Sequence, residues 1–206
     1  MTPPLFSGNV TEMMNFSKDG DILIVGLGEG YSTVFFSEFT NNSANLYGIE
    51  ILGEVLGRSS EKLKREGYEV ELMQGNGIRG WKNDRKFDYI WTTLAVKEVP
   101  DNWLNILREG GNLGVFRKLT EKEFKNVKDF SWFPFENYKE YEDRWWEQVC
   151  LEILHKNDDG SVETKNKSYN VFNAPFLDDE YGEKTDINWP KKYGKIQRKL
   201  VNFLSR

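Results

Sequence analysis

The sequence predicts an α/β fold, a mostly parallel sheet finished by an antiparallel hairpin near the C-terminal end. Three observations carry this expectation. Short β-branched runs alternate with helix-patterned segments along the first 118 residues, which is how βαβ units read. A glycine-rich loop, Gly26-Leu27-Gly28-Glu29-Gly30, joins the first such run to the first helix. Late in the chain, Asn157-Asp158-Asp159-Gly160 separates two strand-like runs, and an Asp-Gly turn there is a hairpin signal.

The elements follow in order. Ile22–Val25 reads as the first strand and Tyr31–Phe39 as the first helix. Leu46–Ile51 is the second strand. Glu54–Glu66 is the second helix, with Gly67 as the glycine that ends it. Val70–Met73 and Phe87–Thr92 are the third and fourth strands. Asp101–Arg108 reads as a short helix, Gly110-Gly111 as a turn and Asn112–Phe116 as the fifth strand. The stretch 120–147 is dense in charge and aromatic residues, Trp132, Trp145 and Trp146 among them. It reads as an insertion before the hairpin of Val149–His155 and Ser161–Val171. Residues 178–186 are acidic. Beyond Pro190, Tyr193, Ile196, Leu200 and Phe203 recur at helical spacing opposite a lysine-rich face. The expected organisation is one domain over 1–177 followed by an acidic loop and a basic amphipathic helix over 178–206.

Composition narrows the function classes. At 206 residues the chain is long enough to bury one full α/β core. A net charge of −5 argues against a nucleic-acid partner bound through a global basic field. The chain has one cysteine, Cys150, and one histidine, His155, so a Cys/His zinc site within the chain is not expected. Both are read as structural residues of a hairpin strand. No apolar run reaches membrane-spanning length, and the start lacks the pattern of a signal peptide, so the reading is a cytoplasmic protein with no membrane partner. The oligomeric state is left open.

The chemistry concentrates in three places. Glycines between a strand and a helix let the backbone turn tightly and a bulky cofactor approach it. Glu50 stands twenty residues after Gly30, at the end of the second strand. There a carboxylate accepts from both hydroxyls of a ribose, unless it is an ordinary strand-end glutamate. Gln74-Gly75-Asn76-Gly77 follows the third strand, at the sheet edge where open α/β folds bind ligands. Asn76 either offers its carboxamide oxygen to an adenine amino group or makes a plain Asn-Gly turn.

These residues resemble the protein-L-isoaspartate (D-aspartate) O-methyltransferase family. The matching stretches are Asp21–Tyr31, Tyr47–Ile51, Gly75–Gly77, Phe87–Ile90, Glu98–Pro100, Leu107–Gly111 and the hairpin Gln148–Leu177. The Glu98-Val99-Pro100 element is particular to this family, while the glycine loop is general to class I methyltransferases. Together they cover residues 2–118 and 148–177. The resemblance implies a Rossmann-like class I methyltransferase fold and S-adenosylmethionine as cofactor. It implies carboxyl O-methylation of isoaspartyl or aspartyl groups in a protein or peptide substrate. Carried over by position, Gly26, Gly28 and Gly30 line the methionine and ribose end of the cofactor, Glu50 binds the ribose and Asn76 the adenine. Leu27, Tyr31, Ile51 and Gly77 complete the implied cofactor-binding set. Thr2, in register with the family's active-site serine, and Thr93 face the substrate carboxylate.

Three departures accompany the resemblance. Ile24 stands where the family's loop opens with an acidic residue, Asn76 replaces an Asp, and the family's segment ahead of its serine has no counterpart in these 206 residues. The first two each remove a carboxylate from the cofactor's surroundings, and charged acceptors make the stronger hydrogen bonds. They sustain an alternative reading: a catalytically weak or inactive relative that binds a protein partner.

Overall fold

The computed structural model describes residues 10–17, 19–126 and 149–168. Seven strands form one sheet in the order β3-β2-β1-β4-β5-β6-β7. They are β1 (Asp21–Val25), β2 (Asn45–Glu50), β3 (Glu71–Gln74), β4 (Phe87–Val96), β5 (Leu107–Lys118), β6 (Val149–Lys156) and β7 (Val162–Ser168). The first five pair in parallel. The last two pair antiparallel, β6 on β5 and β7 on β6. The helices are α1 (Tyr31–Phe39), α2 (Gly53–Arg65), α3 (Asp101–Ile106) and α4 (Glu121–Asn126).

Parallel strands need crossovers, and crossovers put cover on both faces of the sheet. β1 shows the result: all five of its residues are buried. Alternate side chains enter two separate cores. Leu23 and Val25 join Tyr47, Phe87, Trp103 and Ile106 on one face. Ile22 and Ile24 join Val10, Met14, Phe36 and Trp91 on the other. Because β1 is central and short, its carboxyl end and those of β2 and β4 emerge side by side.

Local chemistry sets most element ends. α2 stops where Gly67 takes φ of 82°. The Gly67 N–H then donates to the Lys64 carbonyl at 3.2 Å and the Tyr68 N–H to the Leu63 carbonyl at 2.9 Å, the paired bonds of a Schellman ending. α4 opens with a capping box: Glu123 N–H donates to Thr120 Oγ1 at 3.2 Å and Thr120 N–H to Glu123 Oε2 at 2.9 Å.

The structure departs from the sequence reading at several places, besides shifts of one residue at the ends of β1, β2, α2, β3 and β6. α3 ends at Ile106 rather than Arg108, because β5 starts at Leu107. Gly110-Gly111 is not a free turn: it belongs to an excursion inside β5, between the pairs Phe87–Leu107 and Tyr89–Asn112. β4 continues past Thr92 to Val96. It holds two extra residues between the pairs Trp91–Gly114 and Ala95–Phe116, a bulge at its carboxyl end. The hairpin's second strand begins at Val162 rather than Ser161, and its described part ends at Ser168. The turn itself forms as expected, with Gly160 at φ of 82°. Most of the 120–147 insertion, Thr2 and the helix expected beyond Pro190 lie outside the described residues.

Cys150 and His155 sit inside this framework. The Cys150 side chain is buried and burial pushes its thiol up to about 11, so it is protonated at neutral pH. His155 Nδ1 lies 2.9 Å from Asn112 Oδ1 across β5 and β6. No described helix is long and apolar enough to cross a membrane.

Where β5, β6, β7 and α4 meet, two cations and two carboxylates interlock. Arg117 Nε and Nη2 each donate to Glu152 at 2.9 Å, and Nη2 also donates to Glu123 at 2.6 Å. Lys167 Nζ lies 2.6 Å from Glu152 Oε1 and also pairs with Glu123. Burial works to raise the pKa of both carboxylates, but the hydrogen bonds from Arg117 and Lys167 outweigh it, and both lie below 4.5. Carboxylates with lowered pKa stabilise the fold above their unfolded value, and that contribution is lost as pH falls through the lower folded values. Replacing Arg117 with Met is expected to cost about 3 kcal/mol at neutral pH, because it leaves two carboxylates, one of them buried, to share the single charge of Lys167. Chemical denaturation at pH 7 and pH 3 checks the ionic origin. The gap between wild type and variant should shrink at the acid pH, and an undiminished gap would contradict it.

Candidate functional site at the carboxyl ends of β1, β2 and β4

The glycine loop is shaped by β2. As β1 ends, the N–H groups of Gly26 and Leu27 both donate to the Ile49 carbonyl, at 2.9 and 3.1 Å. One residue on, the Gly28 N–H donates to Glu50 Oε2 at 3.0 Å. The other carboxylate oxygen accepts from Ile51 N–H at 2.9 Å and Leu52 N–H at 3.1 Å. Glu50 is only 9% exposed, and three backbone donors hold it where it meets the loop. Each carboxylate oxygen has two lone pairs, so capacity for further donors remains on Oε2.

Two hydroxyls hold the loop's carbonyls. Ser59, fully buried on α2, donates to the Gly28 carbonyl. Thr93, carried in the β4 bulge, donates to the Gly26 carbonyl at 2.5 Å. The bulge is what brings this hydroxyl to β1. A Cβ on Gly26 would lie 2.5 Å from Thr93 Oγ1 and 3.0 Å from Leu94, and the residue's φ is 81°, so glycine is required twice over. In front of Gly28, by contrast, an added Cβ would meet none of the described residues within 4 Å.

The third wall is the loop after β3. The Asn76 Oδ1 accepts from Ile78 N–H at 3.0 Å, which caps the 3-10 turn Gly77–Arg79. Its Nδ2 is buried and has no hydrogen-bond partner among the described residues. A buried donor without an acceptor is costly, and a native structure gives it a reason. Gly77 is pressed against β1, where a Cβ would lie 2.3 Å from Val25 Cγ1. Its carbonyl accepts from Trp103 Nε1 at 2.7 Å.

The residues singled out from sequence therefore fall together in large part. Gly26, Gly28, Gly30, Glu50, Ile51, Asn76, Gly77 and Thr93 belong to adjoining ends of β1, β2, β3 and β4. Leu27 contributes backbone, since its side chain is buried over Gly48. Tyr31 opens α1 and is 37% exposed. Thr2 lies outside the described residues. Ile24 points into the core, fully buried with Phe36 and Trp91 in its cluster. Sequence reasoning missed Ser59 and Trp103. The signal for Ser59 was its place four residues before Leu63, on the buried side of an otherwise charged helix.

The family model for protein-L-isoaspartate(D-aspartate) O-methyltransferase matches residues 1–128. The chain belongs to this family. Curated relatives agree. A protein-L-isoaspartate O-methyltransferase 2 of Syntrophobacter fumaroxidans is 32% identical over 114 residues, 55% of this chain and 45% of that protein. A protein-L-isoaspartate O-methyltransferase of Opitutus terrae is 31% identical, over 55% of this chain and 48% of that one. The chain thus spans about half the length of the curated relatives it matches. Among solved structures, a putative Plasmodium falciparum protein-L-isoaspartate O-methyltransferase in complex with S-adenosyl-L-homocysteine superposes with a TM-score of 0.59. It is 16% identical, and the match covers 85% of this chain and 72% of that one. A second protein-L-isoaspartate O-methyltransferase gives the same TM-score at 20% identity, covering 84% of this chain and 48% of that chain. These likenesses fix the family's fold for this chain, including the mostly parallel seven-stranded sheet.

Close packing of Gly77 on Val25 has a measurable consequence. Gly77→Ala is expected to destabilise the protein by about 2 kcal/mol through overpacking. Combining it with Val25→Ala should cost less than the sum of the two single changes. Strict additivity in thermal unfolding would rule out the contact as the cause.

Proposed function

We propose that the chain is an S-adenosylmethionine-dependent carboxyl O-methyltransferase acting on isoaspartyl or aspartyl carboxylates of a protein or peptide. The observation that carries this reading is Glu50. Its carboxylate closes β2 and is bonded to Gly28 of the glycine loop, where it can accept a ribose hydroxyl while holding the loop. The residues present fit a nucleoside. Among the described residues, nothing crowds Gly28 on one side and nothing accepts from the buried Asn76 Nδ2 on the other. The family membership and the S-adenosyl-L-homocysteine bound to the Plasmodium relative support the same assignment.

Bound S-adenosylmethionine supplies an activated methyl group, which passes to a carboxylate oxygen as the sulfur leaves as a thioether. A carboxylate has a reference pKa near ~4 and is already ionised at neutral pH, so no side chain of this protein has to remove a proton. The protein's part is alignment and exclusion of water. In this reading Gly26, Gly28 and Gly30 would line the methionine and ribose end, Glu50 would hold the ribose and Asn76 the base, with Ile51 and Gly77 beside them. Thr2 and Thr93 address the substrate carboxylate. In the resting geometry the Thr93 hydroxyl proton lies on the Gly26 carbonyl, so Thr93 offers an incoming carboxylate its hydroxyl only by turning away from the loop.

Calorimetric titration with S-adenosylmethionine and S-adenosylhomocysteine is the first test. Micromolar binding is expected, weakened by about tenfold or more in Glu50→Ala through loss of a charged acceptor. An isoaspartyl-peptide methylation assay then tests the acceptor. Binding without turnover would favour the partner-binding alternative. Absence of binding at millimolar ligand would reject the cofactor assignment.

A further inference from the structure

We infer that Trp103 is a positioning residue for the nucleobase: its indole N–H fixes the Asn76-Gly77 loop, and thereby the groups that discriminate one base edge from another. The inference rests on the cofactor reading above. Trp103 is fully buried on α3, and Gly77 is buried as well. The 2.7 Å bond from Nε1 to the Gly77 carbonyl joins residues 26 positions apart. The same carbonyl accepts from Gly80 N–H at 3.0 Å, so the two lone pairs of this oxygen are both engaged. Next to it, Asn102 Nδ2 reaches the Ile78 carbonyl at 3.4 Å, and Ile106 Cδ1 lies 3.3 Å from where a Gly80 Cβ would be. α3 thus meets the turn at three points, Gly77, Ile78 and Gly80.

What this grip fixes is the unpartnered donor. Asn76 is bound within its own loop, through Ile78 N–H on its Oδ1 and Arg79 N–H on its carbonyl. These bonds set the shape of the turn but not its place against β1. Packing on Val25, the Gly75 N–H bond to the Glu50 carbonyl at 2.9 Å and the contacts of α3, of which the Trp103 bond is the shortest, set that place. α3 follows β4 through Glu98-Val99-Pro100, so the strand that carries Thr93 and the helix that holds the base loop are one continuous stretch of chain. A displacement of α3 moves the base loop directly.

The test uses the whole chain and two ligands, S-adenosylhomocysteine and S-inosylhomocysteine. The second replaces the 6-amino group with a carbonyl and the adjacent ring acceptor with an N–H, so the base edge is inverted in polarity. Trp103→Phe keeps an aromatic ring and removes the donor, while Gly80 still serves the Gly77 carbonyl. In that variant the preference for the adenine ligand should narrow by about threefold or more, as expected when hydrogen-bonding groups lose their fixed place. Amide exchange at Ile78, Arg79 and Gly80 should quicken by about tenfold while β1 stays protected. A merely structural role would weaken both ligands alike, and an unchanged ratio overturns the inference while leaving the cofactor reading intact. Unchanged exchange in the turn also overturns it. Should Trp103→Phe not fold, replacing Trp103 by 3-benzothienylalanine, which keeps the bicyclic shape and puts sulfur where the N–H was, decides in its place, with the same narrowing expected and an unchanged ratio overturning the inference. Wild-type protein that binds neither ligand overturns both the cofactor reading and this inference.

Discussion

The site depends on one carboxylate placed where two parallel strands end together. β1 and β2 run in register, with Val25 opposite Ile49, so the chain leaving β1 turns directly over the last residues of β2. Ile49 offers its carbonyl to two successive amides and Glu50 offers its carboxylate to the next. The loop is thereby held by β2 before any helix packs on it. Glu50 is in turn fixed by the amides of Ile51 and Leu52, which lead into α2. α2 then returns Ser59 to the Gly28 carbonyl. A short circuit of strand end, loop and helix results, in which each part holds the next.

The β4 bulge completes that circuit from the other side. Without two extra residues, β4 would keep its side chains alternating between the two cores. The irregularity releases Thr93 from that alternation and turns its hydroxyl towards β1. Bulges of this kind re-aim a side chain at a sheet edge next to a site. Here the side chain covers the Gly26 carbonyl, so both carbonyls nearest the turn are satisfied by the protein's own hydroxyls.

Much of this was legible in the sequence because it is local. β-branched runs, the glycine loop, the glycine ending α2 and the Asp-Gly turn each declare themselves within a few residues. Spacing alone tied Glu50 to the loop. The bulge was not legible, since Thr92-Thr93-Leu94 reads equally well as the end of a strand or the start of a loop. The fate of Gly110-Gly111 was not legible either: glycines mark a break in regular structure but not whether the strand resumes on the same line. Trp103 was hidden for another reason. An indole in a short helix looks like core, and it is core. Its N–H becomes informative only once the fold brings the Gly77 carbonyl within reach.

Ile24 shows why a departure from the family pattern should be weighed in three dimensions. An acidic side chain at this place on β1 would have to be accommodated on the face where Ile24 now lies fully buried, in a cluster with Phe36, Trp91 and Phe116. A charge without a partner there would be costly, whereas isoleucine adds to the packing. The support that a carboxylate would give the loop comes instead from groups that approach from neighbouring elements: Ser59 from α2, Thr93 from β4 and Glu50 from β2. Loss of a carboxylate at Ile24 therefore does not leave the loop unsupported. What changes is the chemistry at the loop's surface: the Gly26 carbonyl has one lone pair engaged by Thr93 and keeps the other, so a neutral acceptor stands where a carboxylate would have offered a charge.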